Sequence, residues 1–273
     1  MRPNATWIAS NAALIVLMAA NVSRGQNMYP GRATELAKAN QNPLSGLLSV
    51  PLQFHFMSGG DLADRTSYTL LVQPIFPLSV GSGWNVITRP IVPYSSVPGS
   101  VRRSGGFGDI ELEMLVSPAQ NTEIMWGIGP VFSFPTATDD GARTGAWGLG
   151  PSAVAVRQLG AFVIGGLIKH VWTFADYEND LPNISRFSLQ PVVNYNFPDG
   201  WALNFAPVLS GNWTAPDGHQ ITIPLGLGFS KVTFLGRQPM SLGAEYYHHV
   251  VRPDGSGAAH LKLHVSLLFP PAS

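Results

Sequence analysis

The chain is 273 residues long, 45% hydrophobic and only 12% charged, and its 16 basic residues cancel its 16 acidic ones. Soluble domains average about 25% charged residues, so a water-facing globule of this size would carry too thin a charged skin. Zero net charge without a basic stripe excludes a nucleic-acid partner, and the absence of cysteine removes disulfides, zinc-thiolate sites and thiol catalysis.

The N-terminus reads as an export signal. Arg2 supplies a short positive region, and residues 12–20 (AALIVLMAA) an apolar one well short of the roughly 20 residues that span a bilayer as a helix. Ser23 and Gly25 place small residues before Gln26, so cleavage after Gly25 is expected; an uncleaved anchor helix is the other reading. The chain then divides into a signal peptide at 1–25, an N-terminal segment at 26–45 and a body at 46–270. Within that segment Ala33 to Asn40 has helical composition and Asn42-Pro43 stops it. The segment is either a periplasmic tail or a plug in the lumen of the body.

From Gly46 onward the apolar period is two rather than 3.6. Strands are predicted near 46–57, 67–79, 84–95, 106–117, 123–135, 146–157, 161–173, 184–197, 201–213, 219–231, 240–251 and 258–269. In the ninth, Trp201, Leu203, Phe205, Pro207 and Leu209 alternate with Ala202, Asn204, Ala206, Val208 and Ser210. In the last, Leu261, Leu263, Val265, Leu267 and Phe269 share one face against Lys262, His264 and Ser266.

Every second connection is short: 81–83, 119–122, 159–160, 198–200 and 235–239. Those between are usually longer and richer in charge. Such alternation is the pattern of an outer-membrane barrel, with short periplasmic turns and longer outward loops. Lipid offers backbone groups no partners, so strands that span it must close on themselves. The expected fold is therefore all-β: a single antiparallel transmembrane β-barrel of about twelve strands, with both termini periplasmic. Eight strands on this plan bracket a filled interior and 16 to 18 an open channel; twelve implies a narrow passage. Pro51, Pro74, Pro90, Pro130, Pro151, Pro191, Pro207 and Pro224 fall inside these strands, where bulges or unbonded positions are expected.

With the apolar phase toward lipid, the other phase lines the lumen. Early strands put His55, Gln73, Arg89, Glu111 and Glu113 there. Lys169, Arg186, Gln190 and Asn194 come next along the chain, and Glu245, His249, Lys262 and His264 complete the candidate set. An Arg or Lys at mid-depth on the lipid face would cost roughly 2 to 4 kcal/mol. Both signs occur, which implies mutual pairing as readily as solute contact. Trp84, Trp126, Trp147, Trp172 and Trp201 lie close to strand ends, where interfacial girdles are built.

Pro43 to Phe54 (PLSGLLSVPLQF), Trp84 to Pro93 (WNVITRPIVP), Trp126 to Asp140 (WGIGPVFSFPTATDD) and Trp147 to Pro151 (WGLGP) resemble the phenol-degradation MetA-pathway family of bacterial outer-membrane proteins. GFGDIE at Gly106 to Glu111 and LGLGFSK at Leu225 to Lys231 add to the likeness, which runs over most of the mature chain. The resemblance implies a porin-like barrel in a Gram-negative outer membrane that passes small hydrophobic or aromatic compounds. Partners would then be outer-membrane lipid, the barrel-assembly machinery and a small-molecule solute. Barrels of this class often finish on an aromatic residue, whereas here Phe269 is followed by Pro270-Pro271-Ala272-Ser273.

No enzyme and no cofactor is expected. Ser241 with His248 or His249, or Ser266 with His264, are the only imaginable nucleophile and base pairs near the rim. Adjacent strand residues point to opposite faces, so His248 and His249 cannot chelate together, and no GxSxG or HExxH occurs. Asp139-Asp140 with Asp61 or Asp176 has the chemistry of a calcium loop, but solvated loop acids account for them, and no metal is assigned. A non-conducting structural or adhesive barrel is the alternative to a channel.

Overall fold

The computed structural model describes residues 31–60, 66–99, 103–120, 122–138, 145–176 and 184–271. The export signal, Asp61 and Asp139-Asp140 lie outside the described residues. Helix α1 (Arg32–Asn40) precedes β1 (Leu48–Ser58), β2 (Ser67–Val72), β3 (Phe76–Val80), β4 (Trp84–Pro98), β5 (Arg103–Phe107), β6 (Ile110–Pro118), β7 (Ile124–Phe134) and β8 (Ala146–Leu159). Then come β9 (Phe162–Asp176), β10 (Ser185–Asn196), β11 (Trp201–Phe205), β12 (Leu209–Asn212), β13 (Ile221–Leu235), β14 (Gln238–Val251) and β15 (Ala259–Phe269).

Each strand pairs antiparallel with its neighbours, and β1 joins β15 from Leu48 opposite Phe269 to Ser58 opposite Ala259. With β9 also joined to β10, the sheet has no free edge. Three staves are each made of two successive strands, β2 with β3, β5 with β6, and β11 with β12, so fifteen strands form a closed twelve-stave barrel. Closure removes the free sheet edges whose unpaired backbone groups hydrocarbon would not satisfy. No described helix is long and apolar enough to cross a membrane.

The broken staves correct the predicted strands at 67–79, 106–117 and 201–213. Pro74 sits in the first gap and Pro207 in the third; neither can donate to the ladder. Beside the first gap, β1 holds on through backbone bonds from Gln73 N to Pro51 O (3.0 Å) and from Ile75 N to Ser49 O (2.8 Å). In the second, Gly108-Asp109 interrupts a stave that begins at Arg103, inside what read as a loop. Pro207 is fully buried while Val208 is 47% exposed, the reverse of the predicted phase. The gap lets alternation slip by one residue and recover by Leu209. Pro224 coincides with a register shift in β13, and Pro130 stands directly opposite Pro151. The predicted turn at 235–239 contracts to Gly236-Arg237, because Leu235 still pairs with Gln238 and Gly236 takes φ 62°, as a two-residue hairpin needs.

The outer wall is apolar: Ile128, Phe174, Leu225, Leu227 and Phe229 all stand exposed on it. Aromatic side chains ring it at two levels. Trp84 and Trp126 meet edge to face near the short turns, and Lys231 lies over the Trp201 ring there. Trp147 contacts Phe134, and Trp172 contacts His170, near the long loops.

Helix α1 packs on the inner wall at the short-turn end. Its Ala33, Leu36 and Ala37 form one apolar cluster with Leu47 and the inward Val232, Phe234 and Leu268. Leu44, a few residues on, joins the inward Ile87, Leu115, Val154, Val156, Val163 and Leu167 of the facing wall. At this end the inward phase is therefore apolar, where period-two reading placed a polar lining. These residues bury against the N-terminal segment instead of meeting water.

Candidate pore lumen

The polar inward residues gather above that apolar floor in three groups. In the first, Arg89 on β4 stands directly opposite Glu113 on β6, with Nη2 2.7 Å from Oε2. The approach makes an ion pair without the alignment of a hydrogen bond. Ser152 on β8 donates to the other Glu113 oxygen. Two residues along β6, Glu111 accepts from Lys169 on β9 and from Arg186 Nη2 on β10 at 3.1 Å. Both contacts cross β7 and β8, whose intervening inward positions, Val131, Ser133, Gly148 and Gly150, are short enough to pass beneath long side chains, and the one to Arg186 also crosses β9 beside Val171.

The second group lies on β14 and β15. Glu245 stands opposite Lys262, with Nζ 2.7 Å from Oε1, and His264 Nδ1 is 3.6 Å from the same oxygen. Tyr247 donates its hydroxyl to Glu245. Carboxylates this deeply buried are held by several partners at once, which offsets their desolvation.

The third group is a set of imidazoles toward the long-loop end. His55 Nδ1 and His260 Nε2 are 2.8 Å apart with their rings stacked, and His249 meets His260 edge to face at 5.5 Å between centroids. Gln53 Oε1 lies 3.3 Å from His55 Nε2 and accepts from Gln73 at 3.5 Å. One imidazole must donate and the other accept across the short His55–His260 contact.

Gln190 and Asn194 line β10. Gln190 donates to Ala206 O at 3.3 Å, capping a carbonyl that the break between β11 and β12 leaves without a ladder partner. Asn194 stands opposite Asn204, which donates to Ser230 at 2.9 Å. Gln41, just past α1, exchanges two 3.0 Å amide hydrogen bonds with Asn196, tying the N-terminal segment to β10.

The thirteen candidate lumen residues thus all stand on the inner wall, and the five tryptophans on the outer one. Two members of the site were not singled out from sequence. His260 shares the phase of Lys262 and was open to detection by it; Ser152 sits among small apolar residues and carried no signal. The imagined hydrolytic pair of Ser241 with His248 or His249 does not assemble. Ser241 is opposite Ser266 across β14 and β15, and His248 and His249 lie seven and eight positions along the strand, roughly 25 Å away at strand rise. Among the described residues no group of three or more His, Asp or Glu side chains has the geometry to hold a metal ion.

No family model and no curated protein matches the chain. Solved structures do. The barrel superposes on the COG4313 outer membrane channel from Pseudomonas putida F1 with a TM-score of 0.61 at 14% identity, covering 82% of this chain and 96% of that one.

The fold is that of an outer-membrane channel. The NanC porin is also similar, with a TM-score of 0.51 at 11% identity over 82% of this chain and 99% of the other. At these identities the likeness concerns the fold, and the side chains that line the lumen must be read on their own terms.

Proposed function

We propose that this protein is a channel of the Gram-negative outer membrane through which small solutes enter passively. The observation that carries this reading is the division of the closed wall: exposed Leu, Ile and Phe outside, and the paired ionisable groups of Glu111, Glu113 and Glu245 inside. Residues 1–25 direct export, the short turns and both termini face the periplasm, and β15, ending on the outward Phe269, is the strand offered to the assembly machinery. Helix α1 and Leu44 narrow the passage from the periplasmic side. The resemblance of FPTATDD and WGLGP to the MetA-pathway family supports small hydrophobic or aromatic compounds as the cargo. The likeness to channel folds supports transport over catalysis.

The test is reconstitution of purified protein into liposomes and planar bilayers. Solute-dependent swelling and discrete current steps are expected. Silence in both assays from protein that migrates as a folded barrel would overturn the channel and leave a structural or adhesive barrel.

A further inference from the structure

The lumen charges do not cancel locally. Among the described residues, the inward cations Arg89, Lys169, Arg186 and Lys262 pair with Glu111, Glu113 and Glu245, and a fourth buried carboxylate, Asp109 in the gap between β5 and β6, accepts from Ala137 N. Glu113 and Glu245 each serve one of these cations. Glu111 is shared by two, so its own group, Lys169 and Arg186 on one carboxylate, carries one positive charge in excess.

That surplus faces open space. A cavity of about 310 Å³ lies against Glu111, Lys169 and Arg186, with Ser188, Asn212 and Thr222 among its neutral polar groups, Val171 and Phe187 among its apolar ones, and His219 at its edge. Its wall is built by register: Arg186 stands opposite Asn212, Ser188 opposite both Ser210 and Lys169, and Ser210 opposite Thr222. Lys169 and Glu111 are each 16% exposed, whereas Arg186 is 37% exposed, so its guanidinium presents the charge to the cavity. A guanidinium has five donors in a planar fork, and the Glu111 contact uses one nitrogen.

We propose that this stretch of the lumen is a binding subsite for a small monocarboxylate in transit, its carboxylate on the Arg186 fork and its body against the Ser188, Asn212 and Thr222 side. A single surplus cation matches a single negative charge. A dianion such as phosphate would leave one charge unpaired. The inference rests on the channel reading for its biological sense, but its binding can be measured apart from conduction.

Sodium benzoate titrated calorimetrically into the full barrel in detergent micelles tests it, with benzyl alcohol and inorganic phosphate as comparison probes. Saturable benzoate binding is expected, weakened about tenfold or more by Arg186→Gln, as loss of a charged hydrogen bond dictates, and less by Arg186→Lys, which keeps the charge without the fork. Asn212→Asp, which sets a carboxylate opposite Arg186 and cancels the surplus, is expected to weaken binding likewise. Equal binding to wild type and Arg186→Gln, equal binding of benzyl alcohol, or tighter binding of phosphate would overturn the proposal. In planar bilayers benzoate is expected to reduce the wild-type current and not that of Arg186→Gln. Arg186-dependent binding by a silent barrel would refute the channel and keep the subsite; current without such binding would do the reverse.

Discussion

Arg89 and Glu113 are direct cross-strand partners on β4 and β6, and their ion pair stands on the inner wall with Glu113 only 1% exposed. A carboxylate so enclosed depends on its partner. Arg89→Met is expected to destabilise the barrel by about 3 kcal/mol, because the lone buried charge then keeps only the Ser152 hydroxyl. The double variant Arg89→Met with Glu113→Gln should recover most of that loss. Urea unfolding in lipid vesicles checks both, and equal stabilities for the single and double variants would contradict the pairing.

Gly228 stands opposite Glu245 on the inner wall, and a Cβ there would collide with the Ala244 carbonyl oxygen and with the Glu245 Cα and Cγ. The Glu245, Lys262 and Tyr247 cluster therefore lies down over a bare backbone. Gly228→Ala is expected to cost about 1–3 kcal/mol as an overpacking change and to lower refolding yield. A neutral outcome would mean that the cluster has room to shift.

The lipid face is tested by depth. Leu227 projects from the middle of β13 and Leu235 from its turn, and both are exposed on the outside. Leu227→Arg should cost roughly 2–4 kcal/mol in a bilayer and Leu235→Arg about 1 kcal/mol at most. Unfolding in vesicles of fixed thickness measures the difference; similar costs at the two sites would refute the assigned membrane position.

Leu36 anchors α1 to Val232, Phe234 and Leu268. Leu36→Asp places a charge in that apolar contact, and removal of residues 26–45 abolishes the contact altogether. Both changes are expected to raise single-channel conductance while the barrel remains folded, since the hydrogen bonds between strands stay in place. Unchanged conductance in the deletion variant would show that the segment leaves the passage free.

Much of this architecture was legible along the chain because a membrane barrel repeats one local rule. Leu261, Leu263, Val265 and Leu267 alternate with Lys262, His264 and Ser266, and that period alone assigns each side chain to a wall. Where proline removed a ladder bond the rule failed locally: Pro207 turned inward and Val208 outward, and the staves at Pro74 and Pro207 came apart. Composition signalled that prolines would disturb the sheet, but which ones break a stave and which, like Pro130 opposite Pro151, sit within a continuous one depends on the neighbouring strand.

The sequence by itself determined the all-strand wall, its apolar outer face and the inward turn of its ionisable residues, because each of these follows from neighbours two positions apart. Only the tertiary structure decided which charges meet. Glu111 reaches Lys169 across two intervening staves and Arg186 across three, and no local period encodes a contact over 58 or 75 residues of chain. The same holds for α1, whose short apolar stripe is compatible with a free tail. Its seat against Val232, Phe234 and Leu268 exists only once barrel closure has brought β13 and β15 around it.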